Sequence, residues 1–280
     1  MRKILSCNIE DAVEKLCIEA NSFLPDDIKA AIEKAEADEG NPLAKEVLGE
    51  LKANYKIAEE TKRPVCQDTG MAVVFVEIGQ NIQIEGDSIV RAINNGVRKG
   101  YKNGYLRCSV VSDPLNRVNT GDNTPAVIHF DITGGDTLKI TVAPKGFGSE
   151  NMSAVKMLKP SDGREGVVDF IVETVKKAGS NPCPPIVVGV GIGGTMEKAA
   201  ILAKKALQRE IDSKNENEFY AGLEEELLNK INDLGIGASG LGGGTTALGV
   251  NIETYPTHIA GLPVAVNISC HVTRHKSVIL

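Results

Sequence analysis

The sequence contains no apolar run of about 18 residues, so nothing in it reads as a transmembrane helix. It has no excess of one charge sign: a formal net charge of −6 with the signs scattered leaves no electrostatic footprint for nucleic acid or an anionic membrane. Its six cysteines include no CxxC pair, which removes the zinc ribbon and the thioredoxin-type dithiol. The apolar core of a signal peptide is missing too, because Glu10, Asp11 and Glu14 fall where it would lie. The expectation is a cytoplasmic chain, in which these cysteines do not build a disulfide framework. Internal repeats and low-complexity tracts are absent.

What is present is an ordinary globular composition, 42% hydrophobic and 24% charged over 280 residues. No linker divides it, and a single domain over 1–280 is expected. Apolar residues recur at three- and four-residue spacing over Ile9–Ala20, Asp26–Ala37 and Pro42–Glu59, with Asp26 or Asn41 available as N-caps. Met71–Ile78 reads as a buried strand and Asp87–Tyr101 as a helix. "PAVIHFDI" and "TLKITVAP", joined by "TGGD", read as a hairpin. Helices are expected over Gly163–Lys177, Met196–Ile211 and Phe219–Leu234, and strands at "PIVVGVGIG" and "LPVAVNISC". The fold class is therefore α/β or α+β: mixed sheets flanked by helices, under a helical N-terminal layer.

Two patterns compete for the chemistry. Gly189, Gly191 and Gly194 spell G-x-G-x-x-G between a strand and a helix, the setting of a dinucleotide-binding turn. About 180 residues precede it, however, and close packing of strand on helix explains the glycines as well. The second pattern is three cysteines at strand ends. Cys66 precedes "QDTG" and a strand, Cys183 stands in "NPCPP" before a strand, and Cys270 ends "AVNIS". Three thiolates drawn from distant loops suit an iron–sulfur cluster with one iron lacking a protein ligand. A single free cysteine is more often core than ligand, and Cys7, Cys17 and Cys108 are read that way. Taken alone, Asp68 would be a turn residue, and His258, His271, Arg274 and His275 would be solvated loop or tail residues.

"CQDTG", "KGFGSENMS", "SNPCPPIVVGVGIGG" and "LGGGTTALGV…HIAGLPVAVNISCH" occur in this order, and together they resemble the α subunit, or N-terminal domain, of class I fumarate hydratase. The α subunit of L-tartrate dehydratase belongs to the same family. The resemblance runs from about Pro64 onward.

The resemblance implies that Cys66, Cys183 and Cys270 hold a [4Fe-4S] cluster, whose open iron takes the carboxylate and C2 hydroxyl of a small 2-hydroxy dicarboxylate. It implies that Asp68 exchanges the hydroxyl proton, with His258 pairing with that carboxylate or orienting the hydroxyl. Gln67 would hydrogen-bond substrate or cluster, and Arg107 would bind substrate as a carboxylate-recognising guanidinium. The substrate pair expected first is (S)-malate and fumarate, with L-tartrate or another 2-hydroxy dicarboxylate as the alternative and a dinucleotide-binding domain as a remote one. The family's remaining substrate arginines, a lysine and the C3 base are not found here. The expectation is an α subunit completed by a separate β subunit in an α2β2-type assembly. An electron-transfer protein is disfavoured, because such clusters usually have four protein ligands.

Overall fold

The computed structural model describes residues 1–280. In chain order the elements are β1 (Arg2–Leu5), α1 (Ser6–Ser22), α2 (Asp26–Asp38), α3 (Pro42–Thr61), β2 (Met71–Gly79), β3 (Ile82–Glu85), α4 (Ile89–Asn103), β4 (Val127–Thr133) and β5 (Leu138–Lys145). There follow α5 (Phe147–Glu150), β6 (Ala154–Leu158), α6 (Gly163–Ala178), β7 (Ile186–Gly193), α7 (Met196–Ala206), α8 (Glu218–Asn232), β8 (Ala247–Tyr255), β9 (Leu262–Ser269) and β10 (Lys276–Ile279). The class is α/β. No helix is long and apolar enough to cross a membrane. The chain forms two compact units: residues 1–24, 55–147 and 274–280 make the first, and 25–54 and 148–273 the second.

The first unit is built on a sheet of order β10-β5-β2-β4. β2 is an interior, largely buried strand and pairs parallel with β4 and antiparallel with β5. Ile9, Val13 and Leu16 of α1 and Ile93, Val97 and Tyr101 of α4 pack with Val74, Val76, Ile140 and Val142 of the sheet in one core. The expected β4–β5 hairpin is not formed. β2 lies between the two strands because its largely buried faces and free backbone groups need a neighbour on each edge. "TGGD" instead wraps the end of β2, with Gln80 N donating to Thr133 O at 2.9 Å and Asn81 N to Gly135 O at 3.0 Å. Gly79 permits that wrap, since a Cβ there would lie 2.6 Å from Gly135 O. Directly after His275, one of the residues read as a solvated tail, Lys276–Ile279 form strand β10, paired antiparallel with β5.

The second unit carries a sheet of order β6-β9-β7-β8. β7 alternates strictly. Ile186, Val188, Val190 and Ile192 enter a core with Val168, Ile171 and Val175 of α6 and Leu223, Leu227 and Ile231 of α8. Gly189 and Gly191 face α7, where an added Cβ would lie 2.2 Å from Ala203 O and 2.0 Å from Ala199 O. The first two glycines of G-x-G-x-x-G are therefore strand residues that admit a helix backbone, not members of a phosphate-binding turn. Two local details also differ from expectation: Asp26 is the first helical residue of α2 rather than its cap, and α7 ends at Ala206. Asn41 does cap α3, its Oδ1 accepting from Leu43 N and Ala44 N.

Candidate active site

In the first unit, the loop Cys66–Gly70 joins α3 to β2 and is held from below through three successive carbonyls. Arg274 Nη2 donates to Asp68 O at 2.5 Å. The Tyr101 hydroxyl donates to Thr69 O at 2.8 Å and Gly70 O at 3.0 Å. Asn123 Nδ2 donates to Gly70 O at 3.1 Å, while its Oδ1 accepts from Ser109 N and Val110 N. Tyr101 and Asn123 are buried, and burial pushes the Tyr101 phenol well above its ordinary value, so it stays a neutral donor.

The upper side of the loop presents the chemistry. Cys66 and Asp68 are half-buried and Gln67 is exposed. Asp68 N donates to Cys66 Sγ at 3.4 Å, and the thiol meets Gln67 Oε1 at 3.7 Å. Asp68 is more than a simple turn residue. Its Oδ1 accepts from Gly70 N at 3.0 Å and its Oδ2 from Phe147 N at 2.9 Å. The strand register explains the second bond: Met71 pairs with Lys145, so the loop before β2 and the loop after β5 share one end of the sheet. Arg107 is exposed, but its backbone is clamped, with N donating to Thr69 Oγ1 and O accepting from the same hydroxyl. The loop "KGFGSENMS" thus spends the Phe147 N–H on Asp68.

Arg274 corrects the sequence reading. It is 5% exposed rather than solvated, and its Nε and Nη1 are buried without partners. Each such donor costs about 1–3 kcal/mol. Only tertiary contact reveals this residue; a basic residue in a polar tail carries no signal of burial.

In the second unit, Cys183 lies just before β7 and Cys270 just after β9. These strands are antiparallel neighbours with Val187 opposite Ser269, so both cysteines stand at the same end of the sheet. The His271 ring Nδ1 lies 3.3 Å from Cys183 O, and Thr273 Oγ1 donates to Cys270 O at 2.8 Å. Cys183 adopts φ 55°, a left-handed conformation that is costly for a residue with a Cβ. His258 is elsewhere. It lies in the exposed connection between β8 and β9, where Gly194 N donates to Pro256 O, at the opposite end of the sheet from the two cysteines. The eight residues of β9 separate the ends by roughly 25 Å along the strand. His258 Nδ1 accepts from Ala260 N at 3.1 Å, which leaves Nε2 as the nitrogen that carries the proton in the neutral ring.

None of the six cysteines is in a disulfide; Cys17 is buried, which pushes it up to about 12, and Cys7 is exposed rather than in the core. Cys66 belongs to the first unit and Cys183 and Cys270 to the second. No three His, Cys, Asp or Glu side chains are grouped to hold a metal ion. The donor chemistry still fits a thiolate-bound cluster. None of the three candidates is in a disulfide, none is buried, and Cys66 Sγ already takes a backbone N–H of the kind that tunes cluster sulfurs. Unlike a mononuclear site, a cluster spreads its ligands over separate irons.

Comparison with known proteins now defines the class. The fumarate hydratase (fumerase) family matches residues 10–279, and the chain belongs to that family. Among curated relatives, the Methanocaldococcus jannaschii protein named "Putative L(+)-tartrate dehydratase subunit alpha" is 50% identical over 272 residues, covering 95% of each chain. The Escherichia coli O157:H7 protein named "L(+)-tartrate dehydratase subunit alpha" is 33% identical over 284 residues, covering 98% of this chain and 93% of its own.

Proposed function

We propose that this chain is the α subunit of a hydro-lyase that interconverts (S)-malate with fumarate and water, its active site completed by a separate β subunit. The observation that carries the reading is the loop Cys66–Asp68: a carboxylate pinned by two backbone N–H groups, two residues from a thiol that itself accepts an N–H. Such pinning fixes a proton-transfer group in place before substrate arrives. We take residues 1–280 as one catalytic domain, since the family match spans both units.

In this reading Cys66, Cys183 and Cys270 hold a [4Fe-4S] cluster, which when bound supplies a Lewis acid for the departing hydroxyl. Asp68 delivers a proton to that hydroxyl oxygen in dehydration and recovers it in hydration. Each carboxylate oxygen that takes one N–H keeps a second acceptor direction for this task. Arg107, its backbone fixed by Thr69, presents an exposed guanidinium to a substrate carboxylate, and Gln67 offers an amide beside it. The C3 proton leaves to a base on the β subunit.

His258 stands at the other sheet end from Cys183 and Cys270, so we assign it to the site of a second copy of the chain, within an α2β2-type assembly. The names of the relatives favour a second reading, L(+)-tartrate as substrate; it differs from malate by one C3 hydroxyl, a distinction that a few pocket contacts decide.

The test is anaerobic co-expression with a β-type partner, then fumarate hydration followed at the alkene absorbance and tartrate dehydration by oxo-acid release. Turnover of fumarate that needs both chains supports the first reading. Turnover of tartrate alone moves the assignment to the second. A cluster-bearing complex inert to both overturns the proposal.

A further inference from the structure

Three buried side chains hold three successive carbonyls under the Cys66–Gly70 loop, and only one of the three is charged. Tyr101 and Asn123 are neutral. Arg274 brings a permanent cation that is 5% exposed, uses Nη2 on Asp68 O, and leaves Nε and Nη1 unpaired. Those two atoms are closed to solvent, so a substrate carboxylate does not reach them in this conformation. As a structural brace this is a poor choice, because a buried charge with unpaired donors is less favourable than an apolar side chain of similar size. A residue that breaks local rules in this way belongs with function rather than stability.

We propose that Arg274 is a positioning residue: its guanidinium fixes the Asp68 carbonyl, and with it the turn that sets the Asp68 carboxylate and the N–H on Cys66, at the expense of the chain's own stability. The backbone of Asp68 links both effects. Its carbonyl is held by Arg274, its N–H points at Cys66 Sγ, and its side chain bonds Gly70 N and Phe147 N. Releasing the carbonyl frees the peptide plane between Asp68 and Thr69, and the carboxylate moves with it. The catalytic part of the proposal rests on the hydro-lyase reading; the part concerning loop and stability does not.

The test is Arg274→Met, with Arg274→Lys as the conservative partner, in the isolated chain and in the complex with its β subunit. For Arg274→Met the melting temperature equals or exceeds that of the wild type, while amide exchange at Asp68 and Gly70 accelerates by about tenfold or more and β2 stays protected. In the complex kcat falls by about a hundredfold with KM nearly unchanged. Arg274→Lys recovers part of both, since an ammonium also donates to the carbonyl. A variant that melts well below the wild type or fails to fold, or whose exchange rises throughout β2, makes Arg274 a plain structural brace and overturns the proposal. So does unchanged exchange at the loop. If no dicarboxylate is turned over, the exchange and melting results still decide the loop claim, which separates its failure from that of the proposed function.

Discussion

Asp68 Oδ2 accepts the backbone N–H of Phe147 at 2.9 Å, a bond between residues 79 apart in the chain. It joins the loop that enters β2 to the loop that leaves β5, and Oδ1 closes a turn on Gly70. Asp68→Asn keeps one acceptor oxygen and sets an NH2 donor against one of the two N–H groups. Folding stability falls by about 1 kcal/mol, and turnover falls by about 10²–10⁴-fold. Urea denaturation and initial rates on the assembled enzyme measure the two. Activity that merely follows the folded fraction reduces Asp68 to a turn residue.

His258 offers a test by mixing. Co-expressed, differently tagged chains carrying Asp68→Asn and His258→Ala each lack one group. If His258 serves a second copy, the mixed assembly contains one intact site and shows roughly half of wild-type activity. If it serves its own chain, no intact site exists and the mixture is as inactive as either parent.

Gly191→Ala addresses the glycine pattern of β7. The new Cβ would lie 2.0 Å from a helix carbonyl, Ala199 O, which cannot move without lifting α7 from the sheet. The variant loses about 3 kcal/mol or fails to fold. Titration of the wild-type chain with NADH gives no saturable signal; a saturable isotherm would restore the cofactor reading.

Asp122 supplies a pH signature. Burial opposes its charge, but hydrogen bonds from Thr124 and Arg98 prevail and hold the carboxyl at about 2. A folded-state value below the unfolded one gives stability that is fully present above about pH 4 and lost as pH falls toward 2. In urea titrations the wild type therefore exceeds Asp122→Asn at pH 5, and the gap closes between about pH 4 and pH 2. The group is partly solvated, so the gap is small, and added salt narrows it. A gap that does not depend on pH would assign the difference to packing.

How much of this was legible depended on whether the signal was local. The helices α1, α2 and α3 follow from periodicity, and β7 from its flanking prolines and apolar run, because these features are written within one element. Strand ends placed Cys183 and Cys270 in comparable settings, and the β7–β9 register brings them to the same end of a sheet. The hairpin reading failed at "TGGD" because a turn signal does not say which strands it joins; the insertion of β2 is a long-range choice set by burial of Val73–Val76. Arg274 and Asn123 were missed for the same reason, since both act on backbone carbonyls that any sequence would possess. The separation of His258 from Cys183 and Cys270 was also invisible, because twelve residues of extended chain and twelve residues of loop look alike until a strand register is known.

The first unit is discontinuous, and this has a consequence for vectorial synthesis. Its sheet and the loop over it are made early, yet β10 and Arg274 emerge only after the whole of 148–273 has been translated. At roughly 5–20 residues per second that wait is on the order of ten seconds. Throughout it, the edge of β5 is unpaired and the Asp68 carbonyl is unheld, so a nascent chain stalled before residue 274 exposes a sticky strand edge. Ribosome-bound chains of this protein need protection until β10 arrives.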